Sequence, residues 1–238
     1  MNLTEWPAAD RQKILSLVCV ELGFGPGNDP SGIWSTELSQ LSGLKQSFAI
    51  AQWLSQRIKL GDDSWRLLSS HESDIVREWA AIIVGLSDEI TFARKLAWVK
   101  PFADDPHSGI REIAWLALRA QVTSDPIAAI NALVPWTGSR NERLRRYACE
   151  ITRPRGVWSS PISMLAENPE VGLPILEPLR SDDSNYVKNS VGNWLNDASK
   201  SQPEWVRATA KRWREESPSI HTQYIVQRRS EHVGREWG

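Results

Sequence analysis

The chain of 238 residues carries 28 Lys and Arg against 29 Asp and Glu, a formal charge of −1 that excludes a uniformly basic polyanion binder. Its 41% hydrophobic content can supply a sizeable core, yet no apolar run nears the ~18 residues that a membrane span requires. The start MNLTEWPAADRQ lacks the basic and apolar regions of a secretory signal, and Cys19 and Cys149 lie in apolar, helix-like surroundings, so a cytoplasmic protein with reduced, buried thiols is expected.

In chain order, residues 9–22 and 46–58 have helical patterning, separated by the Gly/Pro-rich loop LGFGPGNDPSG at 22–32. Residues 1–65 are read as an atypical N-terminal cap. Beyond them one pattern recurs: an aliphatic residue, a base, two variable positions and a small or aliphatic residue. It appears at Val76-Arg77…Ala80, Ile110-Arg111…Ala114, Leu144-Arg145…Ala148 and Val187-Lys188…Val191, spaced by 34, 34 and 43 residues. In the last three, a proline (Pro101, Pro135, Pro178) stands nine positions upstream, followed by Phe102, Trp136 or Leu179 and then by a turn-forming stretch, ADDPHSG, TGSRNE or RSDDSN. This predicts a helix ending near the proline, a polar turn, and a second amphipathic helix. One such pair cannot bury its apolar face alone, whereas stacked pairs can. No segment alternates as a strand, so the fold expected is all-α, a right-handed α-solenoid of HEAT-like repeats with a concave face. Residues 66–216 carry the repeats and 217–238 a short basic helix and tail, all within a single domain spanning 1–238.

The near-zero net charge hides an asymmetry. Residues 1–138 hold 12 basic and 16 acidic side chains, and 139–238 hold 16 and 13. The densest excess lies in 140–155, where Arg140, Arg143, Arg145, Arg146, Arg153 and Arg155 face only Glu142 and Glu150. This predicts a salt-sensitive contact with nucleic acid on the C-terminal half.

Phosphate-loop, dinucleotide, zinc and hydrolase motifs have no match, and the histidines at 71, 107, 221 and 232 have no metal spacing, so neither a metal nor a cofactor is expected. Along 186–200, Val187, Val191, Trp194, Leu195 and Ala198 form an apolar stripe, while Asn189, Asn193, Asn196, Asp197 and Lys200 form the opposite face. That face reads either as a solvated surface with an Asp197–Lys200 ion pair or as a binding surface. Along 110–121, Arg111, Trp115 and Arg119 line up, with Glu112 one turn before Trp115, and the flanking arginines predict a partly exposed tryptophan.

The runs TRPRGVW (152–158) and LPILEPLRSDDSNYVKNSVGNWLNDASKSQPEWV (173–206) resemble the C-terminal repeats of the HEAT-like DNA alkylation repair glycosylases, the AlkC/AlkD superfamily, with the AlkC branch the closer match. The resemblance is strong from about residue 71 to 229. It implies a monofunctional enzyme that cleaves the N-glycosidic bond of bases made cationic by methylation, in duplex DNA held on the concave face. It places the active-site tryptophan on Trp158 and the catalytic aspartate of the LND motif on Asp197. Where AlkC proteins have a second carboxylate, this chain has Trp115, which then serves as a second aromatic wall with Glu112 as the nearest acid. The resemblance is to the AlkC branch without the immunoglobulin-like extension that some AlkC proteins carry, and no such extension is expected here.

The chemistry suits these residue types. Loss of a cationic base leaves positive charge on the deoxyribose, which a carboxylate stabilises and an aromatic face assists. Arg111, Arg145, Arg146, Arg153, Arg155, Lys188, Asn193 and Lys200 are the expected DNA contacts, in a protein expected to act as a monomer. A second class stands beside this reading: a non-catalytic HEAT-like scaffold, or a binder of damaged or branched DNA, in which Trp158 merely packs between repeats.

Overall fold

The computed structural model describes residues 10–25, 30, 34, 38–156 and 158–233. Parts of the expected 22–32 loop, and the tail past 233, lie outside the described residues. Those described are helical or irregular, with no strand among them, in thirteen α-helices: α1 Arg11–Glu21, α2 Gly43–Ser55, α3 Asp63–Ser69, α4 Asp74–Leu86, α5 Phe92–Ala103, α6 Ser108–Ser124, α7 Pro126–Thr137, α8 Glu142–Ile151, α9 Ser163–Glu167, α10 Leu173–Leu179, α11 Asn185–Ser199, α12 Pro203–Glu216 and α13 Ile220–Val233. No described helix is long and apolar enough to cross a membrane.

Local chemistry sets the boundaries. Asp125 caps α7 through the backbone N–H of Ala128 with Pro126 in the first turn, Asn141 caps α8 through that of Arg143, and Ser184 caps α11 through that of Tyr186. Pro101, Pro135 and Pro178 each sit in the last turn of α5, α7 and α10, as the repeat pattern predicts. Val76, Ile110, Leu144 and Val187 all fall on the third residue of their helices and are buried.

The chain divides into two compact units, residues 1–117 and 118–238, with α6 running across the division. In the first, α4 is the central helix and packs against α1, α2, α3 and α5. Trp79 is wholly buried within it, and Trp65 stacks edge-on against Trp98 with centroids 5.1 Å apart. Gly85 lets the backbones of α4 and α6 approach, since a Cβ there would lie 2.1 Å from the Ala117 carbonyl oxygen. In the second unit, α11 is central, packing on α8, α10, α12 and α13, while α7 and α10 back α8. Trp194 of α11 is fully buried over Gly172, where a Cβ would come within 2.4 Å of the indole.

The repeated base has a structural task. Arg77 donates through Nη1 to the carbonyls of His71 and Glu72 in the turn before its helix, and through Nε and Nη2 to Asp105 of the following turn at 2.8 and 3.2 Å. Arg145 repeats the arrangement, with Nη1 on the Ser139 and Arg140 carbonyls and a fork onto Asp182 at 2.6 and 3.0 Å. Arg111 also grips the turn behind it, donating to the Asp105 and Pro106 carbonyls. The planar guanidinium suits this, because one side chain satisfies two backbone acceptors and a carboxylate at once. Arg111 and Arg145, expected at the DNA backbone, therefore direct these donors inward and lock turns.

Candidate active site

The turn that carries TRPRGVW begins where α8 ends. A helix terminus leaves its last carbonyls without partners, and here side chains and the returning backbone capture them. Arg119 donates from Nη1 to the Ile151 carbonyl and from Nη2 to the Arg153 carbonyl, each at 2.6 Å, with a longer contact to Ser160. The Trp194 indole N–H donates to the Thr152 carbonyl at 2.9 Å, and the Ile162 N–H to that of Pro154. Arg119 is 4% exposed, and burial together with the neighbouring positive charge of Arg153 brings its pKa down to about 10.

Arg153 points from this turn into the unit. Its Nε and Nη2 donate to Asp197 Oδ2 at 2.8 and 2.7 Å, and its Nη1 to Glu150 Oε1 at 2.6 Å. Glu150 is buried and also accepts from Ser190 Oγ at 2.7 Å, with Arg146 at 3.6 Å. Burial alone would raise the Glu150 carboxyl, but the charges of Arg146 and Arg153 and the Ser190 hydroxyl outweigh it and hold it below the ordinary carboxylate range. Burial works against the Arg153 charge too, and the two carboxylates more than reverse it, leaving its pKa raised. Asp197 Oδ1 accepts from Lys200 Nζ at 3.1 Å, a side chain that remains half exposed. The neighbouring Cys149 thiol is pushed up to about 12, mainly by burial, so it is no nucleophile at neutral pH.

The structure thus brings Asp197, Arg153, Lys200 and Arg146 into one network. Asp197 is only 2% exposed, which corrects the expectation of a solvated polar face, although the ion pair with Lys200 is present. Arg153, expected to reach phosphates, is instead the counter-ion of two carboxylates. Arg146 lies over the Tyr186 ring at 4.5 Å, and Lys188 is buried against His221 Nδ1 at 3.2 Å and the Tyr224 ring, so neither extends freely from the surface. Arg155 donates to Ser201 Oγ at 2.7 Å, tying the far side of the turn to the end of α11. Asn193 is partly exposed on α11. Trp158 stands 55% exposed on the same turn.

Trp115 belongs to the first unit and is 3% exposed, with its indole N–H donating to Glu112 at 2.8 Å. The partial exposure inferred from its flanking arginines is corrected. Arg111 and Arg119 turn their guanidiniums toward backbone carbonyls and leave the tryptophan in the core. Glu150 and Arg119 were missed as site residues. The signal for Glu150 was its position three residues before Arg153, one helical turn away. No group of His, Cys, Asp and Glu suited to a metal ion occurs among the described residues.

Residues 113–224 match the family of DNA alkylation repair enzymes. The chain is 41% identical over 110 residues to YhaZ of Bacillus subtilis strain 168, a stretch covering 46% of this chain and 30% of YhaZ. Its fold superposes on the Pseudomonas fluorescens alkylpurine DNA glycosylase AlkC bound to DNA containing an abasic site analog, with a TM-score of 0.74 and 25% identity, over 98% of this chain and 63% of AlkC. AlkD2 from Streptococcus mutans shares the fold at a TM-score of 0.63 and 23% identity, over 84% of this chain and 95% of AlkD2. The chain therefore spans less than two thirds of the length of AlkC and less than a third of YhaZ. The resemblance to the HEAT-like DNA alkylation repair superfamily and its all-helical fold are borne out.

Proposed function

With residues 113–224 matching the DNA alkylation repair enzymes as premise, we propose that this chain is a monofunctional DNA glycosylase that hydrolyses the N-glycosidic bond of alkylated, cationic bases in duplex DNA. The observation that carries the reading is the Arg153–Asp197 contact, which joins the Arg-Pro-Arg turn to the LND helix across 44 residues. The two most distinctive sequence motifs meet in one buried charge network, and the turn that supplies Arg153 also carries the exposed Trp158.

The reaction breaks the bond between C1′ and the base nitrogen. Its electron pair goes to the base, which leaves neutral because it was cationic. A strong general acid is thus unnecessary. Positive charge develops on the deoxyribose, and a preorganised carboxylate stabilises it. Water then adds to C1′ and gives up a proton. Asp197 is the carboxylate assigned to this role, held in place by the fork of Arg153. Its Oδ1 faces the half-exposed Lys200, which a DNA phosphate can draw away. Glu150 fixes the other edge of Arg153, and the face of Trp158 shields the reacting sugar from solvent.

The test is base release from duplex DNA treated with a methylating agent, compared between the wild type and Asp197→Asn. Loss of one preorganised electrostatic partner should lower the single-turnover rate by roughly 10²-fold or more, with affinity for an abasic-analogue duplex retained. The burial of Asp197 at 2% exposure favours a second reading, a non-catalytic binder of damaged DNA. Wild-type protein that binds methylated and abasic duplexes but frees no base across a range of adducts would establish it.

A further inference from the structure

We infer that Arg119 is a positioning residue of the proposed glycosylase site, a clamp that sets the turn presenting Trp158. The inference rests on the glycosylase reading. Arg119 touches no reacting group in that mechanism. It acts through the backbone carbonyls of Ile151, Arg153 and Ser160.

The geometry is specific. The Arg119 guanidinium reaches carbonyls at both ends of one loop, Ile151 and Arg153 where the chain leaves α8 and Ser160 where it returns. The two carbonyls next in line are held by other partners, Thr152 by the Trp194 indole and Pro154 by the Ile162 N–H. Backbone on both sides of Trp158 is therefore anchored, while its indole remains 55% exposed. An exposed aromatic on an anchored loop can meet a ligand face without first being ordered, which a free loop could not do. The same clamp fixes the Arg153 main chain, whose side chain holds Asp197. The placement of both proposed site residues thus passes through Arg119.

A buried cation facing a helix C-terminus also offsets the negative end of the helix dipole, so a purely stabilising role must be separated from a positioning one. Arg119→Lys keeps the charge and loses the planar fork that can span several carbonyls. Arg119→Met keeps bulk without charge, and if it fails to fold the lysine variant still decides. Two measurements are made on the whole chain. Amide hydrogen exchange of a peptide covering 152–162 should rise about tenfold or more in Arg119→Lys, with core peptides of α11 unchanged, as a local opening does. Single-turnover base release should fall about tenfold or more, with affinity for an abasic-analogue duplex changed less than about twofold. In a Trp158→Ala background the further loss caused by Arg119→Lys should shrink by the share that passes through Trp158, leaving the share that passes through Arg153 and Asp197, since coupled residues are not additive.

Unchanged exchange over 152–162 would overturn the clamp. Raised exchange with fully additive losses would overturn action through Trp158. If the wild type releases no base, the glycosylase reading fails. The clamp is then judged by the exchange measurement alone, where unchanged exchange over 152–162 refutes it.

Discussion

Arg153 and Asp197 are 44 residues apart in the chain and meet through two donor atoms of one guanidinium, at 2.8 and 2.7 Å from a single carboxylate oxygen. Glu150 takes the remaining arm. An arginine predicted as a phosphate anchor is the internal counter-ion of the site.

Arg153→Met is therefore expected to act on stability first. It leaves two buried carboxylates without their shared cation, and breaking a buried pair in this way costs about 3–5 kcal/mol. Urea unfolding should show the midpoint falling with the slope nearly constant. A stability loss below about 1 kcal/mol would mean that the network is not formed in solution.

Arg155 is the arginine of the turn with the lighter internal commitment, a hydrogen bond to Ser201. Arg155→Ala should weaken binding to every duplex, damaged or not, by a similar factor. It should also reduce the salt slope by about one phosphate contact. The check is a titration at several salt concentrations on methylated and unmodified duplexes, and an unchanged slope removes Arg155 from the interface.

Arg145→Ala should do the opposite. Its fork onto Asp182 and its two carbonyl contacts are internal, so loss of these charged hydrogen bonds should lower stability by about 2–3 kcal/mol. The salt slope of DNA binding should stay unchanged. A flattened slope without destabilisation would return Arg145 to the phosphate backbone.

Acid should loosen the same region. Because the Glu150 carboxyl is held below its ordinary value of 4.5 in the folded chain, the folded form binds that proton more weakly than the unfolded form. Its stabilisation is fully present above the unfolded value and is lost as pH falls through the lower, folded one. Glu150→Gln should flatten the fall in stability between about pH 5 and about pH 3. The measurement is the urea midpoint of both proteins across that range.

Much of the helical framework was legible because it follows from local chemistry. The aliphatic residue of each repeat unit lies at one register, and the prolines mark helix ends within two residues, since both depend on neighbours in sequence. The early helices were also visible, expected at 9–22 and 46–58 and present as Arg11–Glu21 and Gly43–Ser55. The reach of the arginines was not legible. Arg145 contacts carbonyls five and six residues behind it and a carboxylate 37 residues ahead, and nothing in its spacing distinguishes that from a free base. Asp197 shares a polar face with three asparagines that stay partly exposed, and its own burial goes with the reach of Arg153 from 44 residues away, which spacing along one helix does not show. Flanking arginines suggest a partly exposed Trp115, and the sequence does not show that Arg111 and Arg119 reach backbone carbonyls instead of solvent.

The contacts that assemble the site close long loops: Ser190 to Glu150 over 40 residues, Trp194 to Thr152 over 42, and Arg155 to Ser201 over 46. Each loop costs chain entropy that rises only slowly with length and is offset by the contacts made when the later helix docks. The helices, by contrast, close their backbone hydrogen bonds between near neighbours in sequence. A chain in which α11 has undocked would therefore keep its helical circular dichroism while losing the Arg153–Asp197 pair and the anchoring of Trp158. The proposed site would thus come apart before bulk helicity does.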